Sequence, residues 1–586
     1  MIPRRTDGTR TLLTLASIHV GDDLGSRAPL TILRVLMPVG DGRAENLERL
    51  EAQTFDLLVV GGGITGAGCA LDAASRGLKT ALVERADFAS GTSSRSAKLV
   101  HGGLRYLARL QIGLTWEGCH ARNLLTRLAP NLVTPLPVVY PVFRRGSQAR
   151  LSPFLLTLYD ACSGRDRWPR HSRAASDDLR RLAPVVDPAR VVAAWTYQEA
   201  VTDDARLVLE VLRRARELGA VTVNHASLES FTEDRSGRVS GGLVSEMVEG
   251  RSIEVRARAV VNATGIWAPR VAPDDGPPMQ MTPAKGIHLV VPTERFPVGA
   301  HLILPSGAGD GRSVYAVPWS DRVLLGTTDT EYQGPLESPA IEQTDVDYLL
   351  NAFNTHTGAD LRIEDVLAGW AGLRPLVGGT GGARTADISR RHMLSIAPSG
   401  VVSVTGGKLT TYARMSVDAV DVVCEGLSHH VRSGATRAPI GLSRPRAEIE
   451  DRVAKLLRPL RVGAPIIRRL VGTYGDRAEE VAGLAVSDPG LATATSEDGR
   501  VTGAEVVWAV LREMAVTLGD VLDRRTRLAS TDRTGGLPGA AAIAGAAFGW
   551  NASRVESEVA AYTRVLGHER GPLSATTLGP RERGSG

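Results

Sequence analysis

At 586 residues the chain has material for two to four domains, and its 43% hydrophobic and 23% charged residues exclude a disordered or fibrous protein. Four scattered cysteines, Cys69, Cys119, Cys162 and Cys424, form no CxxC pair, which argues against a zinc site and suits a reducing compartment. The net charge of +5 is compatible with phosphate ligands, anionic lipid or RNA, and no run of 18 apolar residues predicts a membrane-spanning helix.

Residues 1–54 read as a disordered leader. Arg4 and Arg5 precede a weak apolar stretch, Leu12 to Val20, with no clear cleavage site after it, and Met37 is an alternative start. Phe55-Asp-Leu-Leu-Val-Val60 is a short apolar run ending at glycine, which predicts a buried strand. Gly61-Gly-Gly-Ile-Thr-Gly66 follows, then a helix to about Arg76 and a second strand, Lys79 to Val83, closed by Glu84. This is a βαβ unit with a dinucleotide-binding turn. Gly61 makes the tight turn, Gly63 admits a pyrophosphate, and Gly66 lets the helix pack on the sheet. The helix start, with Gly62, Ile64 and Thr65, offers N–H groups to the phosphates. Glu84 would bond the ribose hydroxyls, which disfavours NADP.

Residues 85–150 read as loop-rich, with one or two helices. Arg206 to Leu218 is an amphipathic helix, Val221 to Asn224 a strand, and Arg258 to Asn262 a strand running into Ala-Thr-Gly265. Strands dominate from about 285 to 335, at His288–Val291, Val314–Val317 and Val323–Gly326, with a turn at Ser320-Asp-Arg322. Val401 to Thr405 is a strand entering Gly406-Gly407, and a helix continues to about Val423. Residues 447–570 read as helices only, and 571–586 as a tail. The glycine turn at 61–66 does not separate NAD from FAD. Gly265 and the stretch Thr405-Gly-Gly-Lys-Leu-Thr-Thr411 favour FAD, because a helix N-terminus there can face the flavin pyrimidine. A phosphate-binding Walker loop is excluded, since Leu409 separates Lys408 from the next Thr.

Thr92-Ser-Ser-Arg-Ser-Ala-Lys-Leu-Val-His-Gly-Gly-Leu-Arg-Tyr-Leu107 packs hydroxyls, cations, a histidine and a Gly-Gly into 16 residues. With Gly61–Gly68, Val201–Val208, Asn262–Gly265, Lys285–His288, Gly326–Asp329, Gly372–Pro375 and Gly406–Tyr412, all in order, the chain resembles the FAD-dependent glycerol-3-phosphate dehydrogenase family, of the bacterial quinone-linked type, over about residues 55–570. The expected fold is α/β: a two-dinucleotide FAD-binding Rossmann-like domain at 55–436, interleaved with a mixed β-sheet substrate domain (sheet about 285–395), plus an all-α C-terminal domain.

The resemblance implies oxidation of sn-glycerol 3-phosphate to dihydroxyacetone phosphate, with hydride passing to FAD and electrons to a quinone. It places Arg105, Tyr106, Arg374, Arg390, Lys408 and Thr411 at the substrate, where a phosphate dianion needs forked cations. If the register slips by one, Arg391 replaces Arg390. His101 or His288 would take the hydroxyl proton, and Arg105 and Lys408 would stabilise developing charge. Thr92, Ser93, Ser94, Lys98, Gly265, Gly407, Leu409 and Thr410 are expected at the cofactor. Residues 122–181 hold eleven arginines against four acids, interleaved with Tyr140, Phe143, Phe154, Tyr159 and Trp168. That composition suits a patch on an anionic membrane surface as well as a solvated basic face. The expected location is cytoplasmic, peripheral on the inner face of the membrane. No EF-hand loop is present. An oxygen-using oxidase, an amine or amino-acid oxidase and a tRNA-binding flavoprotein are the alternatives, although Cys69 and Cys119 are poorly placed for the last and no nucleic acid is expected as partner. The assembly is open between monomer and homodimer.

Overall fold

The computed structural model describes residues 42–164, 168–378, 391–495, 499–531 and 537–574. Strand Thr54–Val60 is central to an eight-stranded sheet. It pairs in parallel with Thr80–Val83 on one side and Arg251–Asn262 on the other. Val221–Val223 and Val402–Gly406 extend the parallel array, and His392–Ile396 closes one edge antiparallel. Leu57, Leu58, Val59 and Val60 are all buried, because both faces of the sheet are covered; hence the run is continuous rather than alternating. Helices Ile64–Ser75, Asp204–Glu217 and Tyr412–Gly426 share one core with it, and Ala70, Ala73 and Ala74 permit their close approach.

A second, ten-stranded mixed sheet carries the substrate side. Its strands include Met281–Pro292, Ala368–Val377, Arg322–Gly326, Ser313–Trp319 and His301–Pro305. Val133–Val142 and Ala193–Thr202 extend it, the latter also pairing with Leu99–Val100. The chain enters this sheet several times between visits to the first, so the two are interleaved. The ten-residue strand Val133–Val142 lies where the sequence predicts loops. Its prolines, at 135, 137 and 141, share one parity, so their missing N–H groups all point away from the antiparallel partner Ala193–Thr202.

The N-terminal expectation needs correcting over ten residues. Arg43–Ala52 is a helix with Leu47 and Leu50 buried, and Arg43 pairs with Glu246 at 2.6 Å. Two leucines one turn apart in an otherwise polar segment are too weak a signal to read beforehand. Residues 1–41 lie outside the described residues. The tail expectation also changes. Gly571–Leu573 forms a single turn, and Leu573 is buried in the substrate-side core beside Ile341.

Helices Arg446–Leu457, Ala464–Tyr474, Ala478–Ser487, Gly503–Arg512, Leu537–Phe548 and Ala552–Arg570 make up the C-terminal region. A π-helical turn, Asp520–Arg525, presses its arginines onto the first domain. Arg524 and Arg525 both pair with buried Asp87, and Arg206 Nη1 reaches back to Glu513 Oε2 at 2.8 Å. Asp87, His225 and Asp520 cluster here, but Arg524 and Arg525 already neutralise the two carboxylates, and His225 Nε2 bonds Asp520 at 2.9 Å.

Candidate active site

The glycine turn has the shape of a phosphate cradle. Gly61 has φ +108°, and a Cβ there would stand 2.7 Å from the Ala263 carbonyl oxygen. A Cβ on Gly66 would overlap the Gly61 carbonyl. Gly63 caps the helix without a side chain, and no acid lies in its first turn, so the positive end of the helix is not neutralised locally. Ser93 Oγ accepts the Ile64 N–H at 3.0 Å, leaving its own hydroxyl proton to donate to a phosphate. Glu84 ends the second strand and accepts from Gly62 N at 2.6 Å and Ala86 N at 2.9 Å. Burial raises its pKa, opposed by those two amides. Thr92 instead donates to the Leu373 carbonyl at 2.7 Å, so it ties the cofactor loop to the substrate-side sheet, and Ser94 bonds Gly91 O at 3.5 Å. Gly265, φ +61°, opens a single turn after the strand ending at Asn262, and Thr65 lies one residue before Gly66 on the first helix.

The reacting end is assembled from four separate stretches. His101 follows strand Leu99–Val100, and its amide donates to Thr410 Oγ1 at 3.3 Å, so the turns at 101–103 and 408–411 meet. Lys408 Nζ lies 4.0 Å from the centre of the Tyr106 ring, and Arg105 lies 5.4 Å from the same ring. Gly406 and Gly407 both have positive φ, turning the strand Val402–Gly406 into the short turn Leu409–Thr411. Arg374 projects from strand Ala368–Val377 above Gly286. Its Nη1 contacts Asp329 Oδ1 at 3.1 Å, and its Nη2 contacts Thr327 Oγ1 at 2.9 Å and Thr328 O at 3.0 Å. Burial lowers its pKa, Asp329 opposes this, and Arg105 and Arg312 add to the lowering, so three guanidinium groups are close enough to repel. Asp329 balances only part of that charge, and a cluster with cations in excess is suited to a dianion.

His288 shares the sheet face of Arg374, stacked on Trp370 with ring centroids 5.6 Å apart. Neither ring nitrogen has a hydrogen-bond partner among the described residues. Burial first, then Arg374 and Lys98, lower its pKa to about 3. His301, edge-on to Tyr315, is held at about 3 by burial alone. The unfolded chain protonates both near pH 6.5, the folded one only near 3, so stability falls as pH drops through that window. The slope is about 1.4 kcal/mol per pH unit for each histidine. His301→Phe is expected to flatten the pH dependence of denaturant unfolding between pH 6 and 4 by one such increment; an unchanged slope would clear His301 of any part in acid sensitivity.

Lys98, expected at the cofactor, has its ammonium in a buried ion pair. It is fully buried, bonded to Asp204 Oδ1 at 2.6 Å and Ser94 O at 3.0 Å, and lies 4.6 Å from the centre of the Trp370 ring. Burial lowers its pKa to about 8, while for Asp204 the effect of burial is reversed by Lys98 and Arg527, which hold it at about 2. The partner that sets the environment of Lys98 lies 106 residues away in sequence. Arg390 lies outside the described residues; Arg391 is exposed immediately before strand His392–Ile396. Conversely, the sequence reading passed over Arg312, Tyr315 and Asp329. The Thr-Thr-Asp329 signal was in view, but Arg312 sits in a Gly-rich loop with nothing to single it out.

A strand–glycine turn–helix with a terminal acid, tied through Thr92 to a second sheet that carries Arg374, is the architecture of a dinucleotide-dependent oxidoreductase. Residues 56–413 match the family described as FAD dependent oxidoreductase, and residues 440–555 match the C-terminal domain of alpha-glycerophosphate oxidase. The glycerol-3-phosphate dehydrogenase 2 of Mycobacterium tuberculosis (strain ATCC 25618 / H37Rv) is 36% identical over 533 residues, 89% of each chain. The aerobic glycerol-3-phosphate dehydrogenase of Staphylococcus saprophyticus is 34% identical, covering 81% of this chain and 87% of its own. Among solved structures, the glycerol-3-phosphate dehydrogenase of Bacillus halodurans complexed with FAD superposes with TM-score 0.72 at 28% identity, over 91% of this chain and 98% of that one. The chain belongs to the FAD-dependent glycerol-3-phosphate dehydrogenase family.

Proposed function

We propose that the protein oxidises sn-glycerol 3-phosphate to dihydroxyacetone phosphate, with electrons leaving through a membrane quinone. The observation that carries this reading is the cluster of Arg105, Arg312 and Arg374 beside Lys408, a match for a phosphate dianion. FAD supplies the hydride acceptor when bound. Gly61–Gly66, Ser93 and Glu84 would hold its adenine half, and Gly407–Thr410 would face the flavin. Arg105 and Arg374 would bring positive charge to the phosphate, with Arg390 or Arg391 as a further ligand, and Tyr106 and Thr411 would offer hydroxyls. The C2 hydroxyl must lose its proton as hydride departs. His101 is the better base, because a group held near pKa 3, as His288 is, has little drive to accept a proton at neutral pH. His288 then serves as a neutral ring on the sheet face of Arg374, and Lys408 stabilises the developing alkoxide.

Peripheral attachment to the inner face of an anionic membrane is supported by the surface. Helices Ile112–Leu128 and Ser147–Cys162 pack together and expose Trp116, Leu151 (54%) and Phe154 (67%), with Leu110 (85%) and Ile112 beside them. Part of the sequence-predicted patch is internal, however: Tyr159 is buried and Arg122 stacks on Trp168 at 4.3 Å. Among the described residues no helix is long and apolar enough to cross a membrane. Anaerobic addition of glycerol 3-phosphate should bleach the flavin, and a soluble quinone should restore its colour faster than oxygen does. Bleaching by glycine or sarcosine, but not by glycerol 3-phosphate, would defeat the assignment; faster recovery in oxygen would convert it to an oxidase.

A further inference from the structure

We propose that Glu199 is a positioning residue for this reaction, fixing the His101-Gly102-Gly103 turn from beneath through the Gly102 amide. The inference rests on the reading above, which puts that turn at the flavin edge.

Glu199 lies in strand Ala193–Thr202 and is 2% exposed. Its Oε2 accepts the Gly102 N–H at 3.2 Å, and its Oε1 accepts the Tyr159 hydroxyl at 2.5 Å. Tyr159 also takes the same Gly102 N–H at 3.0 Å, so one backbone donor is shared between a carboxylate and a phenol. Behind them Arg122 Nη1 reaches Glu199 Oε2 at 3.1 Å, Tyr159 at 3.2 Å and Gln198 O at 2.8 Å, while Nη2 donates to Ser163 Oγ at 3.0 Å. Burial raises the Glu199 pKa, and Arg122, Tyr159 and the Gly102 amide oppose it.

A buried ion pair contributes little net stability compared with apolar residues of the same shape, so its presence invites a reason in what else it holds. Here the node makes one contact with the active-site turn, the Gly102 N–H. Gly102 has no room for a side chain, since a Cβ would strike Cys119 Sγ and the Tyr159 hydroxyl. The amide is therefore the handle by which the turn is held. On either side, His101 N–H is fixed by Thr410 Oγ1, and Gly103 takes φ +84° against the Tyr106 ring. Two successive amides thus anchor the turn to two different elements, with His101 carried between them. The Glu199 carboxylate accepts the Gly102 N–H and also holds the Tyr159 hydroxyl that shares it, so both acceptors of that amide depend on Glu199.

The test compares Glu199→Gln and the charge-balanced pair Glu199→Gln with Arg122→Met, which removes the unpaired buried cation that the single change leaves. In anaerobic stopped-flow reduction by glycerol 3-phosphate, both should lose about tenfold in limiting flavin-reduction rate while the apparent Kd stays within about twofold. FAD content should match the wild type, and the visible circular dichroism of the bound flavin should change. Tyr159→Phe should lose less. Wild-type reduction rates in both proteins would overturn the proposal, as would rate and Kd moving together with loss of FAD, the mark of a purely structural role. If the wild type itself is not bleached by glycerol 3-phosphate, the functional reading fails separately. The Glu199 assignment is then judged on the flavin dichroism and midpoint potential alone, and unchanged values in both variants would end it.

Discussion

Arg374→Gln is expected to lower kcat/KM for glycerol 3-phosphate by roughly a hundred- to a thousandfold, about 3–4 kcal/mol, with FAD still bound. The side chain is held in place before substrate arrives: Asp329 and the Lys285 carbonyl accept from Nη1, Thr327 Oγ1 and the Thr328 carbonyl accept from Nη2, and the absence of a side chain at Gly286 makes room for it. Such preorganisation means that little rotamer entropy is lost on binding phosphate. Arg374→Lys retains charge but loses the planar guanidinium whose two nitrogens reach Asp329, Thr327 and Thr328, so most of the loss should persist. Steady-state kinetics with a dye acceptor measure it. A fall of less than about fivefold in the Gln variant would mean that the phosphate is held elsewhere.

How much of this was readable beforehand depended on whether the signal was local. The strand Thr54–Val60, the glycine turn and Glu84 lie within 31 consecutive residues, and each has a requirement that its neighbours confirm. Arg105, Arg374 and Lys408 were reached through a resemblance; Arg105 and Lys408 both lie against the Tyr106 ring, and Arg105 is near enough to Arg374 to lower its pKa. The ion pair of Lys98 was not legible, for the opposite reason. Its environment is set by Asp204, Arg527 and Trp370, none of which is near in sequence. Glu199 was invisible because a carboxylate in a β-strand reads as solvent-facing until the guanidinium of Arg122 is found behind it. The strand Val133–Val142 was hidden by three prolines whose harmlessness depends on which edge they face. Local requirements of the backbone can be read from sequence; long-range compensation of buried charge cannot.

The second large effect concerns Gly66. Gly66→Ala is expected to yield protein with little or no flavin and at least a hundredfold less dehydrogenase activity at equal concentration, an estimate resting on the loss of the phosphate cradle. A methyl group at this position would overlap the Gly61 carbonyl oxygen, and neither partner can yield. Gly61 is locked by its own φ of +108° and by Ala263 behind it, and its N–H is spent on the Val83 carbonyl at 2.8 Å. Helix Ile64–Ser75 would therefore have to lift from strand Thr54–Val60, carrying the Ile64 amide away from Ser93 and the helix N-terminus away from the phosphates. Because Ala70, Ala73 and Ala74 pack that helix tightly on its neighbours, lifting it also opens the core. Gly77→Ala is the control. Its φ is also positive, at +86°, but nothing lies within 4 Å of its Cβ, so it should lose only the modest stability that a strained backbone costs, about 1–2 kcal/mol, and keep its flavin. The ratio of absorbance at the flavin band to that at 280 nm separates the two variants. Full flavin content in Gly66→Ala would show that the helix can move without losing the cofactor, and the cradle would then not be the group that binds it.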